Sequence, residues 1–373
     1  MITYSWTPLS EDSTALLEQV CALHNAEART HVGDAASLLT PRALLASAAS
    51  PDMEIRVLVA SEDGQVLGSA EVWAPLLENR QLGVVDLVVA PERRREGIGT
   101  ALATEALAEC QRMGRTTIDS YTSHRQDTLV PGGDTVNAGD EADGETQPAA
   151  SISVPETTWR LPAEDPSVAF ARSWGFRPAL MERVSTLELF SPAADEFLAA
   201  TPSSAPEGYR TVTYEDAAPE EHAEALCTLL SIFADDIPVG EATTESEIWT
   251  PERLRRTEER LRSQGRTTVD TLIIHEATGA VAAQTSYAWK KEQPHLVQQR
   301  GTVVAREHRG RGLGAIVKRA NLAAARAAWP EGRVIVTENS DHNVHMLRIN
   351  SAMGFAAAAA DVAWRRTLDE ERG

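Results

Sequence analysis

Hydrophobic and polar positions in the first third of the chain switch between two periods. Runs at Ile2–Trp6, Glu54–Ala60, Val66–Trp73, Gly83–Ala90 and Thr117–Tyr121 predict strands. Asp63-Gly64 separates two of them and reads as a hairpin turn. Glu11–Ala26 predicts a helix that sets Leu16, Leu17, Val20 and Leu23 on one face, and a second helix is expected after Pro41. Ile98, Leu102, Ala106, Cys110 and Met113 then recur at helical spacing until Gly114. A short helix over Val168–Phe176 stops at Gly175, and a strand at Met181–Phe190 is expected to close this first unit.

The same order of elements returns downstream. Tyr209–Thr213 predicts a strand, and Glu220–Ala234 and Pro251–Ser263 predict helices. Thr271–Glu276 and Val281–Trp289 pair around Thr278-Gly279, and a strand follows over Thr302, Val303 and Val304. Leu313, Val317, Ala320 and Ala324 mark a helix ending at Pro330, then come a buried-looking strand at Arg333–Thr337, a helix over Asn343–Met353 and Gly354-Phe355. Two units are therefore expected, 1–190 and 208–373, joined by a proline-containing linker at 191–207. Between about 126 and 165 the periodicity dissolves into Gly, Asp, Glu and Pro. That tract reads as a mobile insertion or, alternatively, a substrate lid. The spacing from glycine loop to Gly-Phe is longer in the first half by about the insertion's length, so without it the two patterns align.

The chemistry lies in what the two halves share. Val84–Thr100 reads VVDLVVAPERRREGIGT and Gln299–Ala315 reads QRGTVVAREHRGRGLGA. The common core is V-(x)4-R-x-x-G-x-G, with Val89, Arg94, Gly97 and Gly99 matching Val304, Arg309, Gly312 and Gly314. Each copy runs from a strand through a polar loop into a helix start, where exposed backbone N–H groups can face an anion and glycine lets it approach closely. The second copy also contains G-x-G-x-x-A, a dinucleotide fingerprint, but five residues separate Val304 from Gly310 and the first copy has Arg95 in place of that glycine. A Walker loop is excluded because no Gly-Lys-Ser/Thr follows.

Composition narrows the partners. The formal net charge of −20 argues against general nucleic-acid binding and acidic membranes, and suits an amine substrate. No apolar run is long enough to span a bilayer, and the N-terminus lacks a basic region followed by an apolar one. Cys21, Cys110 and Cys227 are widely spaced and read as small core residues of a reduced, cytoplasmic protein. No cluster has metal-ligand spacing.

The repeated R-x-x-G-x-G after a V-(x)4 strand end, with a downstream helix ending in Gly-Phe, resembles the GNAT superfamily of N-acetyltransferases. The segment from Thr337 through Asn350 to Gly354-Phe355 is similar to a form seen in actinobacterial members. The resemblance covers nearly the whole chain outside insertion and linker. It implies an α+β fold in α/β/α layers: two tandem domains, each a mixed, mostly antiparallel twisted sheet with flanking helices. It also implies acetyl-CoA as cofactor, with pantetheine bonded along a splayed strand and pyrophosphate on the loop amides. In the first half this falls on Leu87, Val88, Val89, Arg94, Arg95, Gly97, Gly99 and Thr100. In the second it falls on Thr302, Val303, Val304, Arg309, Gly310, Arg311, Gly312, Gly314 and Ala315, with Asn339 and Asn343 as further amide partners. Either asparagine is alternatively a helix cap.

Amide formation needs a neutral amine, an oxyanion donor and an acid for the departing thiolate. The tyrosine that family members often place four residues before Gly-Phe is replaced by Ala171 and Asn350. Asp86, on the strand entering the first loop, is a candidate base or a merely solvated carboxylate. Glu338 and its neighbour Asn339 are the second half's candidates, while His342 and His345 read as helix-surface residues or proton relays. The expected activity is transfer of acetyl from acetyl-CoA to a primary amine of a small molecule, by a monomer or homodimer. The second half is expected to carry turnover if only one half does. The alternatives are a non-catalytic acyl-CoA sensor, or one active and one structural domain.

Overall fold

A computed structural model describes residues 1–131, 151–236 and 245–368. In the first half β1 (Thr3–Thr7) leads into α1 (Thr14–Val32), which runs past its apolar stripe and stops at Gly33, whose φ of +59° few other residues adopt readily. Helix α2 (Pro41–Ala48) starts where the Thr40 side chain accepts a bond from the Ala43 N–H and Pro41 takes the first helical position. Strands β2 (Met53–Glu62), β3 (Gln65–Pro75) and β4 (Leu82–Val89), helix α3 (Ile98–Arg112) and β5 (Thr117–Arg125) follow.

The expected insertion is not free of structure. Residues 132–150 lie outside the described residues, but its flanks form a small sheet in the order β6 (Val130–Pro131), β8 (Trp159–Pro162), β7 (Ser151–Ser153). Leu129, Val154 and Leu161 are buried in the first half's core. Three apolar residues scattered among polar ones carry no periodicity, so a composition argument missed them. Leu161→Ala is expected to cost about 2–5 kcal/mol, read as a lowered thermal midpoint. A dispensable flank would show no change.

Next come α4 (Pro166–Ser173) and β9 (Arg177–Glu188). The expected linker opens with another helix, α5 (Pro192–Ala200), capped by Ser191 and burying Ala194 and Phe197. The second half contains β10 (Tyr209–Glu215), α6 (Glu220–Asp236), α7 (Pro251–Ser263), β11 (Arg266–His275), β12 (Val281–Lys290), β13 (Leu296–Val304), α8 (Leu313–Ala328), β14 (Val334–Ser340), α9 (Val344–Met353) and β15 (Ala356–Thr367). Helix α7 repeats the start of α2, with Thr250 capping and Pro251 following. Among the described residues no helix is long and apolar enough to cross a membrane.

All the major strands join one 12-stranded sheet, in the order β1-β2-β3-β4-β5-β15-β9-β14-β13-β12-β11-β10. The halves have exchanged their last strands. β9 does not close the first unit, because it pairs with β14 of the second and with β15. β15, from the chain's end, pairs with β5 of the first. Burial accounts for the exchange. Val362 and Trp364 of β15 lie in the core under α3 with Leu102 and Ile118. Leu187 of β9 and the following Leu189 lie in the core under α8 with Tyr287 and Leu322. β15 escaped the sequence reading because it opens with five alanines, the residue of highest helix propensity. Two flanking strands that need pairing override that preference.

Candidate functional site

Both glycine loops are built alike. Gly97 and Gly312 take φ of +86° and +75° and stand immediately before α3 and α8, leaving the first amides of each helix facing outward. The conserved-spacing arginines turn back onto the strand they follow: Arg94 Nε donates to the Val89 carbonyl at 3.2 Å, and Arg309 Nε to that of Val304 at 3.0 Å. Arg94 also pairs with Glu27 at 2.6 Å. These arginines therefore hold each loop against its strand end. Arg95 and Gly310 occupy equivalent places and both have positive φ, +67° and +78°. Residues Thr100 and Ala315 lie in the first turns of the two helices.

Each loop follows a strand that parts from its neighbour. β4 pairs with β5 only from Leu82 to Val84, and β13 with β14 only from Leu296 to Gln298. Beyond those points the edges carrying Leu87–Val89 and Thr302–Val304 face a wedge, where backbone groups have no strand partner on that side. An extended chain with amide groups fits such a wedge, and a pyrophosphate fits the helix starts at its mouth. Acetyl-CoA has both parts and supplies an activated acetyl group.

Where β4 and β5 part, a cavity of ≈ 490 Å³ opens beneath α1. His24 and Asn25 of α1, Glu71 and Trp73 of β3, Asp86 of β4 and Tyr121 of β5 line it. Asp86 and Glu71 are cross-strand partners, so both point to this face. His24 stands between them, with Nδ1 3.6 Å from Asp86 Oδ2 and Nε2 3.8 Å from Glu71 Oε1. His24 Nε2 also lies 2.9 Å from Ser69 Oγ, and Trp73 Nε1 donates to Glu71 Oε2 at 3.1 Å. Asp86 is half-exposed, but to the cavity. Enclosure opposes its ionisation, yet the His24 contact outweighs this and holds its carboxyl below the usual range. Burial also works against a charged His24, but the surrounding carboxylates, Asp86 foremost, raise its pKa. Burial pushes Glu71 up, partly countered by His24. Two carboxylates of opposite tendency thus flank one imidazole. Sequence reasoning found Asp86 and missed Glu71 and His24; the cross-strand register of the predicted hairpin with the next strand was the signal for Glu71.

The second half holds part of this cavity's wall. The segment after α1 is tied to α1 by Asn25, which donates to the Leu39 carbonyl at 2.8 Å and accepts the Leu39 N–H at 2.7 Å. Gln293 holds it from the other side, donating to the Ala36 carbonyl at 2.6 Å and accepting the Leu38 N–H at 3.0 Å. Lys290 donates to the Leu38 carbonyl.

The second half's own site differs. Matching Val304 to Val89 puts Gly301 at the place of Asp86, and Gly301 pairs with Ser286 as Asp86 pairs with Glu71. A Cβ on Gly301 would come within 3.4 Å of Phe233 Cε1, so an aromatic ring covers that position. The wedge interior is crossed by Lys318, which takes the place of Ala103 and is 1% exposed. Its Nζ donates to Gln299 Oε1 at 2.9 Å and Asn350 Oδ1 at 3.0 Å, while Asn350 donates to Asn339 Oδ1 at 2.7 Å. Burial pushes Lys318 down to about 7. Asn343 is the N-cap of α9, accepting the Met346 N–H at 3.2 Å. Arg311 bonds the carbonyls of Glu307 and Arg309 within its own loop.

Glu338 stands on β14 where the parallel pairings put Tyr121 on β5. Glu338 is exposed on its strand, yet partial desolvation first, then Asp361 and Glu182, push its carboxyl up to about 7. A carboxyl raised by folding stabilises the fold at low pH, and that contribution is lost as pH climbs from its unfolded value through about 7. Glu338→Gln is therefore expected to match the parent at pH 5 and to melt about 1–3 °C higher at pH 8, an amount reduced by solvent screening. Equal midpoints at pH 8 would contradict the raised value. All three cysteines are buried, and burial raises the thiols of Cys21 and Cys110 to about 12.

Residues 18–127 match the model of the acetyltransferase (GNAT) family. No sequence among curated proteins matches the chain. Among solved structures, a tandem GNAT protein from the clavulanic acid biosynthesis pathway is 26% identical over 100% of both chains, with a TM-score of 0.74. A GCN5-related N-acetyltransferase from Sphaerobacter thermophilus, 14% identical, aligns over 99% of this chain and 96% of its own with a TM-score of 0.60, a likeness of fold. The glucosamine N-acetyltransferase region of a fungal multi-domain β-N-acetylglucosaminidase shares the fold at 14% identity and a TM-score of 0.55, over 98% of this chain and 38% of that one. The two glycine loops, the two wedges and the full-length structural counterpart agree: residues 18–127 match the GNAT acetyltransferase family, and the whole chain has the architecture of a tandem GNAT protein.

Proposed function

We propose that the protein is an N-acetyltransferase that uses acetyl-CoA to acetylate a primary amine of a small molecule, and that turnover resides in the first half. The observation that carries this is the cavity where β4 and β5 part, with Asp86, His24 and Glu71 on its wall. The sequence favoured the second half, but the paired carboxylates of the first half are replaced there by Ser286 and Gly301.

The acceptor enters as an ammonium, which Asp86 attracts. For the nitrogen to form the new C–N bond it must give up a proton. Asp86 takes it, and His24 passes proton density on toward Glu71, the carboxyl more ready to hold one. The bond to sulfur breaks, and the thiolate needs a proton. Tyr121 lines the cavity with about half of its surface exposed, and its phenol, protonated at neutral pH and raised further by desolvation and by Asp119 and Glu182, is the donor at hand in place of the absent helix tyrosine. The Leu87–Val89 edge and the amides after Gly97 hold the cofactor. The second half is read as a cofactor-holding or structural partner, consistent with Lys318 crossing its wedge.

Gly97→Val and Gly312→Val test this. Each forces a β-branched residue into positive φ at one loop. Calorimetry with acetyl-CoA, together with thiol release on an amine panel, is expected to show activity lost with Gly97→Val and kept with Gly312→Val. The opposite result would move turnover to the second half.

A further inference from the structure

The cavity beneath α1 carries its ionisable groups in one cluster. Apart from the Tyr121 phenol these are His24, Glu71 and Asp86, and among the described residues no lysine or arginine lines it. Much of the remaining wall is apolar: Ala28 of α1, Leu39, Met53 of β2, Trp73 of β3 and Val84 of β4. All five are only partly buried by the protein itself, so they keep apolar surface for a ligand to cover.

The polar groups beside them are already engaged. Asn25 spends both ends of its amide on the Leu39 backbone, at 2.8 and 2.7 Å. Ser37 Oγ accepts from Lys290 Nζ at 3.4 Å, and Trp73 Nε1 donates to Glu71. An acceptor therefore meets carboxylates for one ammonium, an apolar wall for its body and few free partners for hydroxyls. An anionic group on it would be enclosed without a cation, which is costly.

The wall is also held in place from the second half. Gln293, 3% exposed, bonds the Ala36 carbonyl and the Leu38 N–H on either side of Ser37. His295 Nε2 lies 3.0 Å from the Asp34 carbonyl at the start of the same segment. Leu39 cannot swing away to admit a bulkier or more hydrated group without breaking these bonds.

We infer that the acceptor is a primary amine on a compact apolar body, with one positive charge and no anionic group, and that Leu39, positioned by Gln293, sets this preference. This rests on the function proposed above and names its substrate class.

The probes are phenethylamine, phenylalanine, which adds a carboxylate to the same body, and glucosamine, whose body carries hydroxyls instead. Calorimetry on the full chain with CoA present is expected to show phenethylamine binding at least about tenfold tighter than either. Leu39→Asn keeps the size of the side chain and the backbone bonds to Asn25. In that variant, and independently in Gln293→Ala, the lead over glucosamine should fall to about threefold or less. In Gln293→Ala the KM for phenethylamine should rise while kcat holds within about twofold, a split that loss of folded protein would not give. An equal or reversed order of the probes in the parent, or an unchanged lead in both variants, overturns the inference. Preferred acetylation of glucosamine or phenylalanine would overturn it while leaving the enzymatic reading intact. Tight, Leu39-dependent binding of phenethylamine without acetylation of any amine would instead sink the enzymatic reading and leave the cavity's preference standing.

Discussion

Asp86→Asn is expected to lower kcat/KM about 10²–10³-fold, with the loss mainly in kcat, measured by thiol release on the best amine found. The amide keeps the size of the carboxylate but neither attracts an ammonium nor accepts a proton. His24 would lose the partner that most raises its pKa, so the imidazole reverts toward neutrality. Glu71→Gln should cost less, about tenfold to a hundredfold, because Glu71 acts through His24 at 3.8 Å and is enclosed behind it. The pH dependence separates the two. Glu71 has its carboxyl raised by burial, so removing it should abolish the acidic limb of the parent profile that reports this group. Wild-type kinetics in Asp86→Asn would defeat the assignment of turnover to this cavity. Equal losses with an unchanged profile would mean that the two acids shape the site without handling protons.

Trp364→Ala, nine residues from the chain's end, is expected to destabilise the first half by about 3–5 kcal/mol. Trp364 is fully buried in that half's core, and its Nε1 donates to Thr122 Oγ1 at 2.7 Å. Truncation there leaves a large cavity between β5 and β9, and Thr122 loses its donor. The measurement is denaturant unfolding followed by hydrogen exchange resolved along the sequence. Lost protection should appear in β4, β5 and α3, far from the substitution in sequence. Loss confined to β14 and α9 would contradict the exchanged pairing. By the same reasoning a fragment of residues 1–190 should not fold by itself. Its core would lack Val362 and Trp364 of β15, and β9 would be without its partner β14.

The sequence alone determined whatever depends on local pattern. Hairpin turns, helix faces and the two R-x-x-G-x-G loops need only neighbours within one or two elements, and the repeat doubled their signal. Asp86 was legible because a carboxylate inside an apolar strand is conspicuous. Glu71 sits in a strand too, yet its meaning comes from pairing with Asp86 and from His24, which lies on a helix with no chemical signature of its own. Contact across sheet and helix made that trio a site. The tertiary structure also decided which half owns each closing strand. β9 and β15 can satisfy their backbone bonds in either unit, and no local propensity distinguishes the choices. Selection came from long-range burial, with Leu187 fitting under α8 and Trp364 under α3. The alanine run of β15 and the packed flanks of the insertion are both read only after that choice is made.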